Sequence, residues 1–119
     1  MANELTLNVS ISFNKGSLST TMQSGTKQFT VTGSDYARQT MTAPTTVTAL
    51  PLGSITTPGY CMMTNLDTTN YVEVYTATGG AAAIKIKPGE WMVFRFTTTT
   101  PAVKANTAAV KIDYLLIAD

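Results

Sequence analysis

Residues Tyr60 to Phe96 read YCMMTNLDTTNYVEVYTATGGAAAIKIKPGEWMVFRF, and the fold class is decided here. Cys61 to Thr64 is a short apolar run, ended by the turn formers Asn65-Leu66-Asp67-Thr68-Thr69-Asn70. Tyr71 to Tyr75 alternates strictly, placing Tyr71, Glu73 and Tyr75 on one face of a strand and Val72 and Val74 on the other. Thr78-Gly79-Gly80 offers the positive-φ positions of a hairpin connection. Ala83 to Lys87 returns with Ile84 and Ile86 on one face and two lysines on the other. Pro88-Gly89-Glu90 is a tight turn, with proline presetting φ and glycine taking the left-handed position. Trp91 to Phe96 then points Met92, Phe94 and Phe96 one way and Trp91, Val93 and Arg95 the other. Four successive strands are expected, joined as a meander.

Working outward, Leu5, Leu7, Val9, Ile11 and Phe13 alternate with Thr6, Asn8, Ser10 and Ser12, which predicts a strand with one buried face. Met1 to Asn3 is expected to be a loose tail, and 14–25, with few large apolar residues, a loop or arm. Lys27 to Thr32 suggests a short strand with Phe29 and Val31 inward. Gly33-Ser34-Asp35 would turn it into a return strand over Tyr36 to Thr42. Val47, Leu50, Leu52 and Ile55 are further core candidates. Thr97 to Pro101 reads as a solvated loop and Ala102 to Ala109 is ambiguous. Val110, Ile112, Tyr114 and Leu116 mark a closing strand, with Leu115 and Ile117 making its other face apolar too. About eight strands and no helix predict a single all-β domain over 1–119, an antiparallel β-sandwich or jelly roll.

The chain has 119 residues, enough for one core. Only 13 % are charged, and the formal net charge is +1. Threonine, roughly a fifth of the chain, carries much of the polarity and favours strands. Such a surface has no basic footprint for nucleic acid and no polybasic membrane patch. Nor does any stretch approach the ~20 apolar residues of a membrane span. No signal-peptide pattern is visible, so synthesis and assembly in a cytoplasm are expected. Low net charge also favours association, and much of the surface is expected to be covered by neighbours.

The sequence is poor in chemistry. Histidine is absent, which removes the commonest general base and metal ligand. Cys61 is the single cysteine and reads as a buried small hydrophobe, so no internal disulfide is possible. Asp67 and Glu73 are the nearest carboxylate pair, and they read as a turn cap and a solvent-facing strand residue. Asp67 and Asn70 with loop carbonyls could hold calcium, although no acidic repeat supports this. No enzyme activity, metal or cofactor is expected. Tyr71, Tyr75 and Trp91 are candidates for subunit contact, with sugar stacking as the alternative. Leu115 and Ile117 are candidates for a subunit contact on the closing strand. Lys85 and Lys87 are expected to form cross-strand ion pairs with Glu73.

At TNLDTTNYVEV followed by IKIKPGEWMVFRF, from Thr64 to Phe96, the sequence resembles small structural proteins of tailed bacteriophages. The shared pattern is an asparagine-rich turn, an alternating strand, a short hairpin, and a proline-glycine-glutamate turn into an aromatic strand. The resemblance implies a non-enzymatic virion protein: a capsid cement or decoration protein, a head fibre or a tail component. It implies a homo-oligomer, with a trimer favoured, that docks on major capsid or other virion proteins after assembly in a host cytoplasm. A carbohydrate-binding or adsorption module using exposed aromatics is the alternative, and a cytoplasmic adaptor unrelated to phage is a third reading.

Overall fold

A computed structural model describes residues 3–119 and contains ten strands and no helix. The chain divides at Thr32/Gly33 into two compact units. Met1 and Ala2, most of the expected tail, lie outside the described residues.

The first unit is a two-stranded antiparallel ribbon of β1 (Leu5–Lys15) and β2 (Leu18–Phe29). The expectation of a loop or arm over 14–25 is therefore corrected: most of that segment is strand. Its cause is the pair Gly16-Ser17, a two-residue connection between the partners Lys15 and Leu18. Gly16 takes φ +58 while Ser17 stays at negative φ, as a type II′ hairpin turn requires. A β-bulge interrupts the ribbon opposite Val9, where Gly25 takes φ +66 and Ser24 Oγ accepts the Val9 N–H at 2.9 Å. The alternation expected in β1 is present, but its apolar face is only half-buried at Leu5, Leu7 and Val9 and is exposed beyond them, Ile11 at 65 % and Phe13 at 46 %. Phe29, expected inward, is likewise exposed.

The second unit is an eight-stranded sandwich. Its strands are β3 (Tyr36–Ala43), β4 (Thr48–Ala49), β5 (Pro58–Asn65), β6 (Val72–Tyr75), β7 (Ala82–Ile86), β8 (Trp91–Arg95), β9 (Ala102–Ala105) and β10 (Val110–Ala118). One sheet has the order β3-β10-β5-β8 and the other β4-β9-β6-β7, and every pairing is antiparallel. Successive strands mostly alternate between the sheets, the strand order of a jelly roll.

That order corrects the meander. All four strands from Tyr60 to Phe96 exist, but only β6 and β7 pair with each other as chain neighbours. β5 pairs with β8 and β10, so the connections after β5 and after β7 are arches from one sheet to the other. The Pro88-Gly89 turn has the expected form, with Gly89 at φ +78 and Glu90 N–H bonded to Lys87 C=O at 3.0 Å. Gly79 and Gly80 lie in the β6–β7 turn without adopting positive φ. Likewise β3 does not return from the preceding ribbon strand; it pairs with β10.

The core lies between the two sheets. Cys61, Met63, Val110, Ile112, Tyr114 and Leu116 from the first sheet meet Val72, Val74, Ile86, Val103 and Ala105 from the second. Leu50 and Ile55, both expected core residues, close one side. Tyr114 keeps its hydroxyl satisfied by donating to Pro51 C=O at 2.6 Å. β10 is central, with β3 and β5 on its two sides, so its edges are paired and only its outward face is open.

Candidate docking face

The outward face of the β3-β10-β5-β8 sheet is assembled from the residues that alternate with the core. In β10, Lys111, Asp113, Leu115 and Ile117 point away from the buried Val110, Ile112, Tyr114 and Leu116. The register then sets rows across the sheet. Leu115 stands opposite Arg38 on one side and Met62 on the other, and Met62 stands opposite Val93. One row along, Asp113 stands opposite Thr40 and Thr64, and Thr64 opposite Trp91. Ile117 stands opposite Tyr36. Trp91 is 49 % exposed, Met62 43 % and Tyr36 68 %, so the face is apolar at its centre and aromatic at both ends.

Polar groups on this face are tied to each other. Arg38 pairs with Asp113 at 3.2 Å, and Thr40 Oγ1 donates to the same carboxylate at 3.3 Å. Arg95 bonds Asp119 and lies 5.2 Å from the Tyr60 ring centroid, a cation–π distance. Arg38, Met62, Thr64, Asp113 and Leu115 line a shallow hollow of about 250 Å³. Leu115, Ile117 and Trp91 are thus brought onto one face.

Tyr71 and Tyr75 are not part of it. They extend from the outward face of the other sheet, both half-buried, beside Glu73. Glu73 stands opposite Lys85 on one side and Lys104 on the other. The lysine ammonium at 85 sits 4.4 Å from the Tyr71 ring centroid. No ion pair within 4.0 Å joins Glu73 to Lys85 or Lys87 among the described residues, so the expected cross-strand pairs are replaced by this ring contact. The five candidate residues therefore divide between opposite faces of the sandwich. Met62, Val93 and Tyr36 were missed as members of the first face. For Met62 the signal was present: the run Tyr60 to Thr64 alternates, with Cys61 and Met63 buried and Met62 outward.

The remaining reactive side chains have structural tasks. Burial pushes the Cys61 thiol up to about 12, away from nucleophilic use. The Asp67 carboxylate accepts the Asn70 and Thr69 N–H groups at 2.7 and 3.0 Å, which hold it below the usual carboxylate range. This is the turn cap expected of it. Among the described residues no three His, Cys, Asp or Glu side chains converge to hold a metal ion, and no helix is long and apolar enough to cross a membrane.

No family model, curated protein or solved structure matches the chain.

Proposed function

We propose that this chain is a non-enzymatic structural protein of a phage virion, most simply a capsid cement or decoration protein. It docks through the outward face of the β3-β10-β5-β8 sheet. The observation that carries this reading is the convergence of Leu115, Met62, Val93, Ile117 and Trp91 on one open face of a near-neutral domain. A mixed apolar centre with a tied polar rim is the composition of a protein–protein contact. The partner is a coat subunit, and the mechanism is burial of apolar area across joints of the shell. At about 25 cal/mol per Å², an interface of standard size adds useful cohesion even where single contacts are modest. The Thr64–Phe96 resemblance supports the virion setting and a trimeric state. Electron microscopy of purified particles tests it: density for the jelly roll on the shell, lost with Leu115→Asp, is expected. A chain abundant in infected cells and absent from particles ends the reading.

A carbohydrate-binding role is the second reading, favoured by the half-exposed Trp91 next to Thr64 and the nearby hollow that Arg38 and Asp113 line. Tyr71 and Tyr75 do not contribute to such a site. Quenching of Trp91 fluorescence by a glycan panel, abolished by Trp91→Ala, would replace the cement reading with this one.

A further inference from the structure

The two sheets of the sandwich end in four edge strands, β3 and β8 in one sheet and β4 and β7 in the other. A free edge offers unpaired main-chain groups, and stable proteins blunt it with short strands, charges, bulges or inward polar residues. Three of these edges are blunted. β4 has two residues. β7 carries Lys85, is followed by Lys87, and shifts its pairing with β6 at a bulge. β3 presents Arg38, Thr40 and Thr42 outward and places Gln39 on the core side, opposite Tyr114. β8 has none of these devices. It reads Trp91-Met92-Val93-Phe94-Arg95, its register with β5 is regular, and its one charge stands at its end. That charge is already met by Asp119 and the Tyr60 ring.

Two hydrogen bonds fix which main-chain groups of β8 are open. Phe96 N–H donates to Gly59 C=O at 3.0 Å, and Glu90 C=O accepts Asn65 N–H at 2.9 Å, both on the β5 side. Successive strand residues direct their main-chain groups to alternate sides, so Trp91, Val93 and Arg95 direct theirs to the open edge. We infer that this edge pairs antiparallel with β8 of a second copy of this chain, about a two-fold axis at Val93. Register selects the occupant. Centred on Val93, the pairing uses all three open residues and forms about six main-chain hydrogen bonds. It sets Val93 against its own copy and each Trp91 against the partner's Arg95. Each guanidinium then has an indole beside it as well as its own Tyr60, within reach of a cation–π contact. Any other centre leaves Trp91 or Arg95 without a strand partner, and centring on Arg95 opposes two guanidinium groups. On the core side Met92 meets Phe94 of the other copy. A second sandwich seated there also closes over the hollow of about 100 Å³ that Ile84, Phe94 and Phe96 line between β7 and β8. Lys85 leans inward from β7 over the Tyr71 ring, away from the joint. A two-fold contact of this kind closes on itself, so association through it stops at the pair.

The inference stands apart from the virion reading and replaces the trimeric state with a pair. Leu115 lies two strands from the joint, so Leu115→Asp should abolish docking on a shell without changing the mass of the free protein. The full chain tests the pairing. The wild type should sediment as a dimer at tens of micromolar. Val93→Pro removes an outward N–H without touching the β5 ladder, and proline is tolerated at a sheet edge. It should weaken association at least tenfold and halve the mass, with the far-ultraviolet circular dichroism of the wild type retained. Should that variant not fold, Val93→Lys, which opposes two ammonium groups at the axis, should read the same halving. Val93→Cys should be joined to its copy by a short bismaleimide, with the buried Cys61 not competing. Leu115→Cys should not be joined, because five strand spacings put the two thiols ~24 Å apart. A monomeric or trimeric wild type overturns the inference. So does a folded Val93→Lys chain of unchanged mass, or a reactive Val93→Cys chain that does not cross-link.

Discussion

The side-chain amide of Asn65, in β5, donates to the main-chain carbonyl of Ile86, in β7, at 2.9 Å, and so joins one sheet of the sandwich to the other. The same amide nitrogen donates to Asn70 C=O at 3.0 Å, and the amide oxygen accepts Asp67 N–H at 2.8 Å. Its own main chain bonds Glu90 C=O and Gly89 N–H. One fully buried residue thus holds two of the arches that carry the chain between sheets, those after β5 and after β7. This is why a polar side chain persists in the core: each of its hydrogen-bonding groups is occupied.

Asn65→Ala should therefore be the most damaging single truncation of a polar residue here. It strands two carbonyls and one N–H in poorly solvated positions, at about 1–3 kcal/mol for a buried orphan. A loss of about 3–5 kcal/mol is expected. Urea unfolding followed by Trp91 fluorescence measures it, and a loss under about 1 kcal/mol would show that the arches hold without the clip.

Alkaline pH should weaken the fold before neutral surface chemistry does. Burial pushes Cys61 up to about 12, and burial together with the neighbouring Cys61 charge pushes Tyr114 to about 12. Both folded values lie above the unfolded ones, 9.0 and 10.0. The native state therefore holds protons that the unfolded chain releases, and stability falls as pH rises from about 9 toward 12. Below pH 9 the contribution is fully present. Urea midpoints should be flat from pH 7 to 8.5 and fall from 9 to 11. In Cys61→Ala the decline should begin about one pH unit later.

Leu115 and Leu116 are adjacent in sequence and should respond oppositely. Leu116 is fully buried, so Leu116→Ala leaves a cavity and costs about 2–5 kcal/mol. Leu115 faces outward, and Leu115→Ala should cost less than about 1 kcal/mol while reducing docking. Equal losses in thermal unfolding would mean that the outward face is part of the protomer's own core.

Gly33 should resist substitution although its φ is ordinary. A Cβ there would meet the main-chain carbon and oxygen of Ala118 at 2.5 Å, inside any allowed contact. Gly33→Ala should cost about 1–3 kcal/mol by forcing the end of β10 aside. At Gly79 nothing lies within 4 Å, and Gly79→Ala serves as the near-neutral comparison.

How much of the site was legible differs by residue. Leu115 and Ile117 could be assigned to a second apolar face of β10 from alternation alone, since a strand's two faces are fixed by its period of two. That Trp91 joins them and Tyr71 does not depends on strand order. Trp91 reaches β10 through β5, while Tyr71 belongs to the sheet on the other side of the core. The ribbon's second strand was legible in part, through Gly16-Ser17. Its Thr- and Ser-rich composition resembles a loop because it lacks the inward apolar residues of a core strand, and a strand exposed along its length has no need of them.

What the residues determined by themselves was local: where strands run, which side chains share a face, and where turns fall. Those depend on backbone sterics and on a period that any short window displays. What only the tertiary structure decided was the partner of each strand. Asn65 to Asn70 and Pro88-Gly89 suit a hairpin or an arch equally well, because turn chemistry reverses or bends the chain without naming the strand that receives it. The choice was made by contacts distant in sequence: β10 inserting between β3 and β5, and β9, built of Ala102, Val103, Lys104 and Ala105, inserting between β4 and β6. Small side chains give β9 a weak local signal. It is a buried strand because hydrogen-bonding partners and the opposing sheet close around it, and that energy exists only in the assembled fold.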